Sequence, residues 1–164
     1  MNKIVWLTGK SGSGKTTVAQ KVQNFVDCLI LDGDAMRKSI SLEEGFSESD
    51  REKHNLRVAR LAKELVKQRN VIVSVIAPSR YVRDAINDIC APKWVYIQKD
   101  SLPERKDHFY EVPEKMFTID HDIVAVEDSA RQIVELFDVK EKNVTFKESG
   151  VTINVNFGSC GAGI

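Results

Sequence analysis

The chain has 164 residues, enough for one domain with a sizeable core. Its 24 basic and 24 acidic side chains cancel, so no overall charge excess draws it to nucleic acid or to an anionic membrane surface. Cys28, Cys90 and Cys160 are odd in number and widely spaced, offer neither metal spacing nor a disulfide framework, and point to a reducing cytoplasm. The longest strongly apolar run, 71–77, is too short to span a bilayer. Lys10 and the glycines break the N-terminal apolar stretch too early for a secretory signal.

Residues 3–8 are apolar and predict a buried strand, and 17–22 predict a first helix. Between them Gly9-Lys10-Ser11-Gly12-Ser13-Gly14-Lys15-Thr16 fits G-x-x-x-x-G-K-[ST], the phosphate-cradling loop. Glycines let the backbone curl so that N–H groups converge on phosphate oxygens, and the following helix N-terminus adds partial positive charge. Gly9, Ser11, Gly12, Ser13, Gly14, Lys15, Thr16 and Thr17 are therefore the candidate ATP-binding residues. Lys15 is expected on the β/γ-phosphates and the Thr16 hydroxyl on Mg²⁺.

A second strand is expected at 28–31, followed at once by Asp32-Gly33-Asp34. A carboxylate there can position Mg²⁺ or accept the proton of an attacking hydroxyl, although Asp-Gly-Asp is also a common turn. Arg37, one turn later, can grip an anion with its forked donors or stand as a solvated helix charge. Residues 50–69 form the clearest helix, with Leu56, Ala59, Leu61, Ala62, Leu65 and Val66 at helical spacing and Ser47 or Ser49 as its cap. Further strands are expected at 71–77, 93–97 and 122–126, and a last helix at 129–137. This alternation predicts an α/β fold with a mainly parallel five-stranded sheet, helices on both faces and ligands beyond the carboxyl ends of the strands. From 139 to 164 the pattern changes. Residues 144–146 and 151–157 alternate apolar and polar side chains across Glu148-Ser149-Gly150, which predicts a C-terminal β-hairpin, structural or dimer-forming, set apart from a kinase domain over 1–138.

The order of motifs resembles adenylylsulfate kinase. Those motifs are Thr8-Gly9-x-Ser11-Gly12-Ser13-Gly14-Lys15-Thr16, then Leu31-Asp32-Gly33-Asp34-x-x-Arg37, then Gly45-Phe46-Ser47-x-x-Asp50-Arg51. Asn55-Leu56-Arg57, Ile76-Ala77-Pro78-Ser79-Arg80-x-x-Arg83 and Tyr110-Glu111-x-Pro113-Glu114 extend the likeness to about residue 137. The resemblance implies a P-loop kinase that moves the γ-phosphate of ATP, with Mg²⁺, to the 3′-hydroxyl of adenosine 5′-phosphosulfate. It makes Lys15, Asp34 and Asp32 catalytic, Thr16 and Asp34 metal-holding, and Asp34, Arg37, Phe46, Arg51, His54, Asn55, Ile76 and Arg80 acceptor-binding. Phe46 would stack on the acceptor base, where otherwise it is a core or loop-anchoring residue.

The departures concern the acceptor. His54 stands where the family has Asn, with Asn55 one residue further on. The family's Ser-Pro-Tyr-Arg becomes Ala77-Pro78-Ser79-Arg80, and its long Lys-rich lid is reduced to Lys106-Asp107-His108-Phe109 between Arg105 and Tyr110. Lys99, Arg105, Lys106 and Phe109 are candidates to replace part of that lid. His121 shows no metal spacing and reads as solvated or structural. Three readings stay open: adenylylsulfate kinase; a kinase for another nucleotide ester such as cytidine diphosphoramidate, or for a polynucleotide or small metabolite; and a nucleotide-binding protein without catalysis. Nucleotides are the expected partners, with a homodimer possible and no membrane or nucleic-acid partner.

Overall fold

A computed structural model describes residues 1–106 and 108–138. The elements run β1 (Ile4–Thr8), α1 (Lys15–Val22), β2 (Cys28–Asp32), α2 (Gly33–Arg37), α3 (Glu48–Leu65), β3 (Asn70–Ser74), α4 (Arg80–Cys90), β4 (Lys93–Gln98), β5 (Phe117–Asp120) and α5 (Val126–Val134). The five strands form one sheet in the order β2-β3-β1-β4-β5, and every pairing is parallel. This is the α/β architecture expected of a P-loop kinase.

Alternation along the strands builds two cores. Val5 and Leu7 of β1 join Ile72, Val95 and Ile97 beneath α1 and α5, while Ile4 and Trp6 join Val71 and Val73 beneath α3 and α4. Trp6 is fully buried, and its indole N–H donates to the Val75 carbonyl at 2.9 Å. α3 starts where Ser47 accepts a hydrogen bond from the Asp50 amide, so Ser47 rather than Ser49 is its cap.

Two expected elements move. The fifth strand is Phe117–Asp120, not 122–126. It is an edge strand in which only Ile119 is buried, so it carries no apolar run to read. Val124, in the β5–α5 turn, and Val126, the first residue of α5, instead pack onto the core, so α5 begins at Val126 rather than 129. His121 consequently follows a strand instead of opening one. β3 likewise stops at Ser74, and Val75, Ile76 and Ala77 leave the sheet, with Ala77 at a φ of +48°. Residues 139–164, with the expected hairpin and the boundary before it, lie outside the described residues.

Candidate active site

β1 is the central strand, and the loop at its carboxyl end runs straight into α1. A side chain at Gly9 would run into the Ile97 carbonyl. Gly14, the residue before α1, has a φ of +95°, and a Cβ there would come within 2.8 Å of His121 Nδ1. Lys15 is only 7% exposed, and its ammonium donates to the Gly9 and Lys10 carbonyls, both at 2.8 Å. Burial pushes its pKa down to about 8, against the pull of the Asp32 and Asp34 carboxylates.

Asp32 closes β2 and caps α2. Its Oδ2 accepts from the Ala35 amide at 3.1 Å, and its Oδ1 accepts the Thr16 hydroxyl proton at 2.6 Å. Ser74, at the end of β3, brings its hydroxyl to 3.1 Å from that of Thr16. Thr16, Asp32 and Ser74 thus gather hard oxygen donors at one point, a set that suits Mg²⁺ and not a thiophilic metal. Among the described residues no cluster of three His, Cys, Asp or Glu side chains could hold a metal alone. Both Asp32 oxygens are engaged, which leaves Asp34, in the first turn of α2 and lining the cleft, as the carboxylate suited to proton transfer.

The facing wall comes from α2, the loop after it and α3. Arg37 donates to the Gly45 carbonyl and Arg51 Nε to the Phe46 carbonyl, each at 2.9 Å. Their guanidinium carbons lie 4.6 and 5.7 Å from the centre of the Phe46 ring, which is 71% exposed. Burial, then the neighbouring Arg51 charge, lowers the pKa of Arg37. His54 is buried, with Nδ1 2.9 Å from the Ser41 hydroxyl. That hydroxyl also accepts an Arg57 N–H at 3.0 Å, so Ser41 ties His54 to Arg57. Burial, reinforced by Arg37, holds the pKa of His54 down at about 4. Asn55 gives its amide to the Arg51 carbonyl at 2.8 Å, while its buried Oδ1 has no hydrogen-bond partner.

Ser11, Gly12, Gly14, Lys15, Thr16, Thr17, Asp32, Asp34, Arg37, Arg51, His54, Asn55 and Ile76 line one cleft of about 350 Å³. Gly9 and Ser13 underlie it through the Lys15 and His121 contacts. Phe46 lies in an adjoining hollow with Arg51, Pro78 and Phe109. Arg105, Lys106 and Phe109 wall a further cavity of about 360 Å³ beside Lys10, Ser11 and Gly12, and Lys99 does not contribute to it. Arg80 is not brought to the cleft; it is exposed and pairs with Asp84 at 3.8 Å.

Four residues around the cleft had no site role in the sequence reading, although Arg83 and Tyr110 stood in its motifs and His121 was read as solvated or structural. Ser74 was legible in principle, as a polar residue at the end of an apolar strand. Arg83 is 6% exposed and binds the Ala77 and Glu111 carbonyls, fixing the loop after β3. Tyr110 stacks on Tyr96 and reaches the Thr8 hydroxyl at 3.0 Å. His121 supports the phosphate loop from behind, and no spacing announced it.

The family model described as adenylylsulphate kinase matches residues 1–107, from the phosphate loop to the shortened lid. The chain belongs to the adenylylsulphate kinase family. The adenylyl-sulfate kinase of Bacillus velezensis is 32% identical over 116 residues, which is 65% of this chain and 59% of that protein. The chain therefore spans less than two thirds of the length of such a relative. In structure it is similar to the Mycobacterium tuberculosis APS kinase solved in complex with AMPPNP and APS (TM-score 0.73, 23% identity, 82% of this chain and 96% of that one). A Sinorhizobium meliloti gluconokinase is similar too (TM-score 0.59, 20% identity, 82% and 90%), so the fold alone does not choose an acceptor. No helix among the described residues is long and apolar enough to cross a membrane.

Proposed function

We propose that the chain transfers the γ-phosphate of ATP to the ribose 3′-hydroxyl of a nucleotide ester, with adenylylsulfate as the preferred acceptor. The observation that carries this reading is that the phosphate loop, Asp34 and the Arg37–Arg51 pair line one cleft. Lys15 would exchange its two carbonyl partners for β- and γ-phosphate oxygens, which compensate its charge better. Thr16 and Asp32, with Asp34 nearby, would hold Mg²⁺, which supplies charge neutralisation to the transferring phosphoryl group. Asp34 would take the proton of the attacking hydroxyl. Arg37 and Arg51 would grip the acceptor's phosphate and sulfate oxygens, and the exposed Phe46 would stack on its base. His54, a neutral imidazole, and Asn55 Oδ1, an unpaired acceptor, would make polar contacts to the same substrate.

A second reading keeps the chemistry and changes the acceptor to another nucleotide ester. It is favoured by His54 and by the short 105–110 segment, because stacking and paired arginines tolerate many bases. Measuring kcat/KM for adenylylsulfate beside cytidine diphosphoramidate and a 5′-hydroxyl oligonucleotide decides between them. Adenylylsulfate is expected to lead; a preference of about tenfold for a competitor, about 1.4 kcal/mol in the transition state, transfers the assignment. Absence of ADP release with every acceptor would leave only the non-catalytic reading.

A further inference from the structure

His121 sits just beyond β5, on the side of the phosphate loop away from the acceptor wall. Its Nδ1 lies 2.7 Å from the Ser13 carbonyl oxygen, and its Nε2 lies 3.0 Å from the Ser129 hydroxyl. A carbonyl only accepts, so Nδ1 carries a proton in this contact. Nothing about the ring's placement is loose. The His121 amide donates to the Gln98 carbonyl at 2.9 Å, the adjacent Asp122 carboxylate takes the Ser101 amide at 2.9 Å, and Ser129 is fully buried on α5.

In a trans peptide the C=O and the following N–H point in opposite directions. Holding the Ser13 carbonyl against His121 therefore turns the Gly14 N–H the other way, toward the cleft that Gly14 lines. The missing Gly14 side chain is part of the same arrangement, since a Cβ there would occupy the space the imidazole fills. We propose that His121 is a positioning residue for phosphate binding, its Nδ1–H fixing the Ser13–Gly14 peptide so that the Gly14 amide is preset as a phosphate donor. The inference rests on the ATP reading above. Preorganised donors matter because a peptide that must first rotate loses part of its binding energy in doing so.

The test uses the two halves of the ring separately. Asn places its amide where Nδ1 lies, and Gln places its amide where Nε2 lies. Calorimetric titration with Mg²⁺ and ATP, acceptor KM and the Gly14 amide chemical shift would be measured for wild type, His121→Ala, His121→Asn and His121→Gln. His121→Ala is expected to weaken ATP binding roughly fivefold, the scale of one neutral hydrogen bond, to move the Gly14 amide resonance and to leave the acceptor KM unchanged. His121→Asn should recover most of the affinity and His121→Gln little. The reverse order would show that only the bridge to Ser129 matters and would overturn the proposal. So would unchanged ATP affinity in all three variants. The Asn–Gln contrast stands even if the alanine variant folds poorly. A wild-type chain that binds no ATP overturns the kinase reading and this inference with it, whereas ATP binding indifferent to His121 overturns this inference alone.

Discussion

The two walls of the cleft are built from different materials. The phosphate side is backbone: a glycine loop on the central strand, with Lys15 buried and a histidine behind it. The acceptor side is side chains: Arg37 on the short α2, an exposed phenylalanine on the loop after it, and Arg51 with a buried His–Asn pair on the first turns of α3. A wall made of backbone changes only when the fold does. A wall made of side chains can be re-specified by a few substitutions, and His54, Ala77 and Ser79 lie in or beside that wall.

The comparison can be broken most sharply at the point where the walls meet. Asp34→Asn is expected to lower kcat by roughly 10²- to 10⁴-fold, the range of a general base, with ATP affinity retained in a direct titration. Lys15→Ala should cost roughly 10²- to 10³-fold in turnover, as loss of one preorganised charge clamp does. Near wild-type rates for that variant in a coupled ADP assay would dismiss the assigned chemistry. Arg51→Ala should raise the acceptor KM by about tenfold or more while the ATP KM stays put, since one charged hydrogen-bonding group is lost. An effect on the ATP KM instead would mean that the two walls are not separate.

The smallest effect is one of pH. His54 has its folded pKa lowered from the ordinary 6.5 to about 4, so between those values the unfolded chain binds more protons than the folded one. Stability should therefore fall as pH drops through 6.5 and continue falling to about 4. Replacing His54 by Asn should flatten that part of a denaturation-versus-pH curve; an unchanged slope would assign it to the carboxylates.

The phosphate wall was legible because the residues that bend a backbone around an anion are nearly obligatory: Gly9, Gly14, Lys15 and Thr16 announce themselves by spacing. The parallel sheet was legible from its buried central strands. β5 was not, because an edge strand that buries only Ile119 leaves no apolar signature, and the run after it imitates one. Arg83, present in a motif, and His121, read as solvated or structural, had their roles hidden for a related reason. They act across 28 and 108 positions of sequence, on the carbonyls of Glu111 and Ser13. Arg80 was named by local motif, yet the chain turns so that Arg83, one helical turn on, is the arginine that goes inward.

The central place of β1 has a consequence for the order in which the molecule loosens. Its amides and carbonyls are paired to β3 on one side and β4 on the other, and both its faces are covered. Strands of that kind exchange their amide hydrogens last, close to global unfolding, whereas short helices and exposed loops open at much lower free energy. The five-residue α2 buries none of its side chains. Hydrogen exchange should thus find the strand that carries the phosphate loop among the slowest parts of the chain and the segment from α2 to Phe46 among the fastest. Arg37 and Phe46 would then loosen ahead of Arg51, His54 and Asn55, which ride on the core-packed α3.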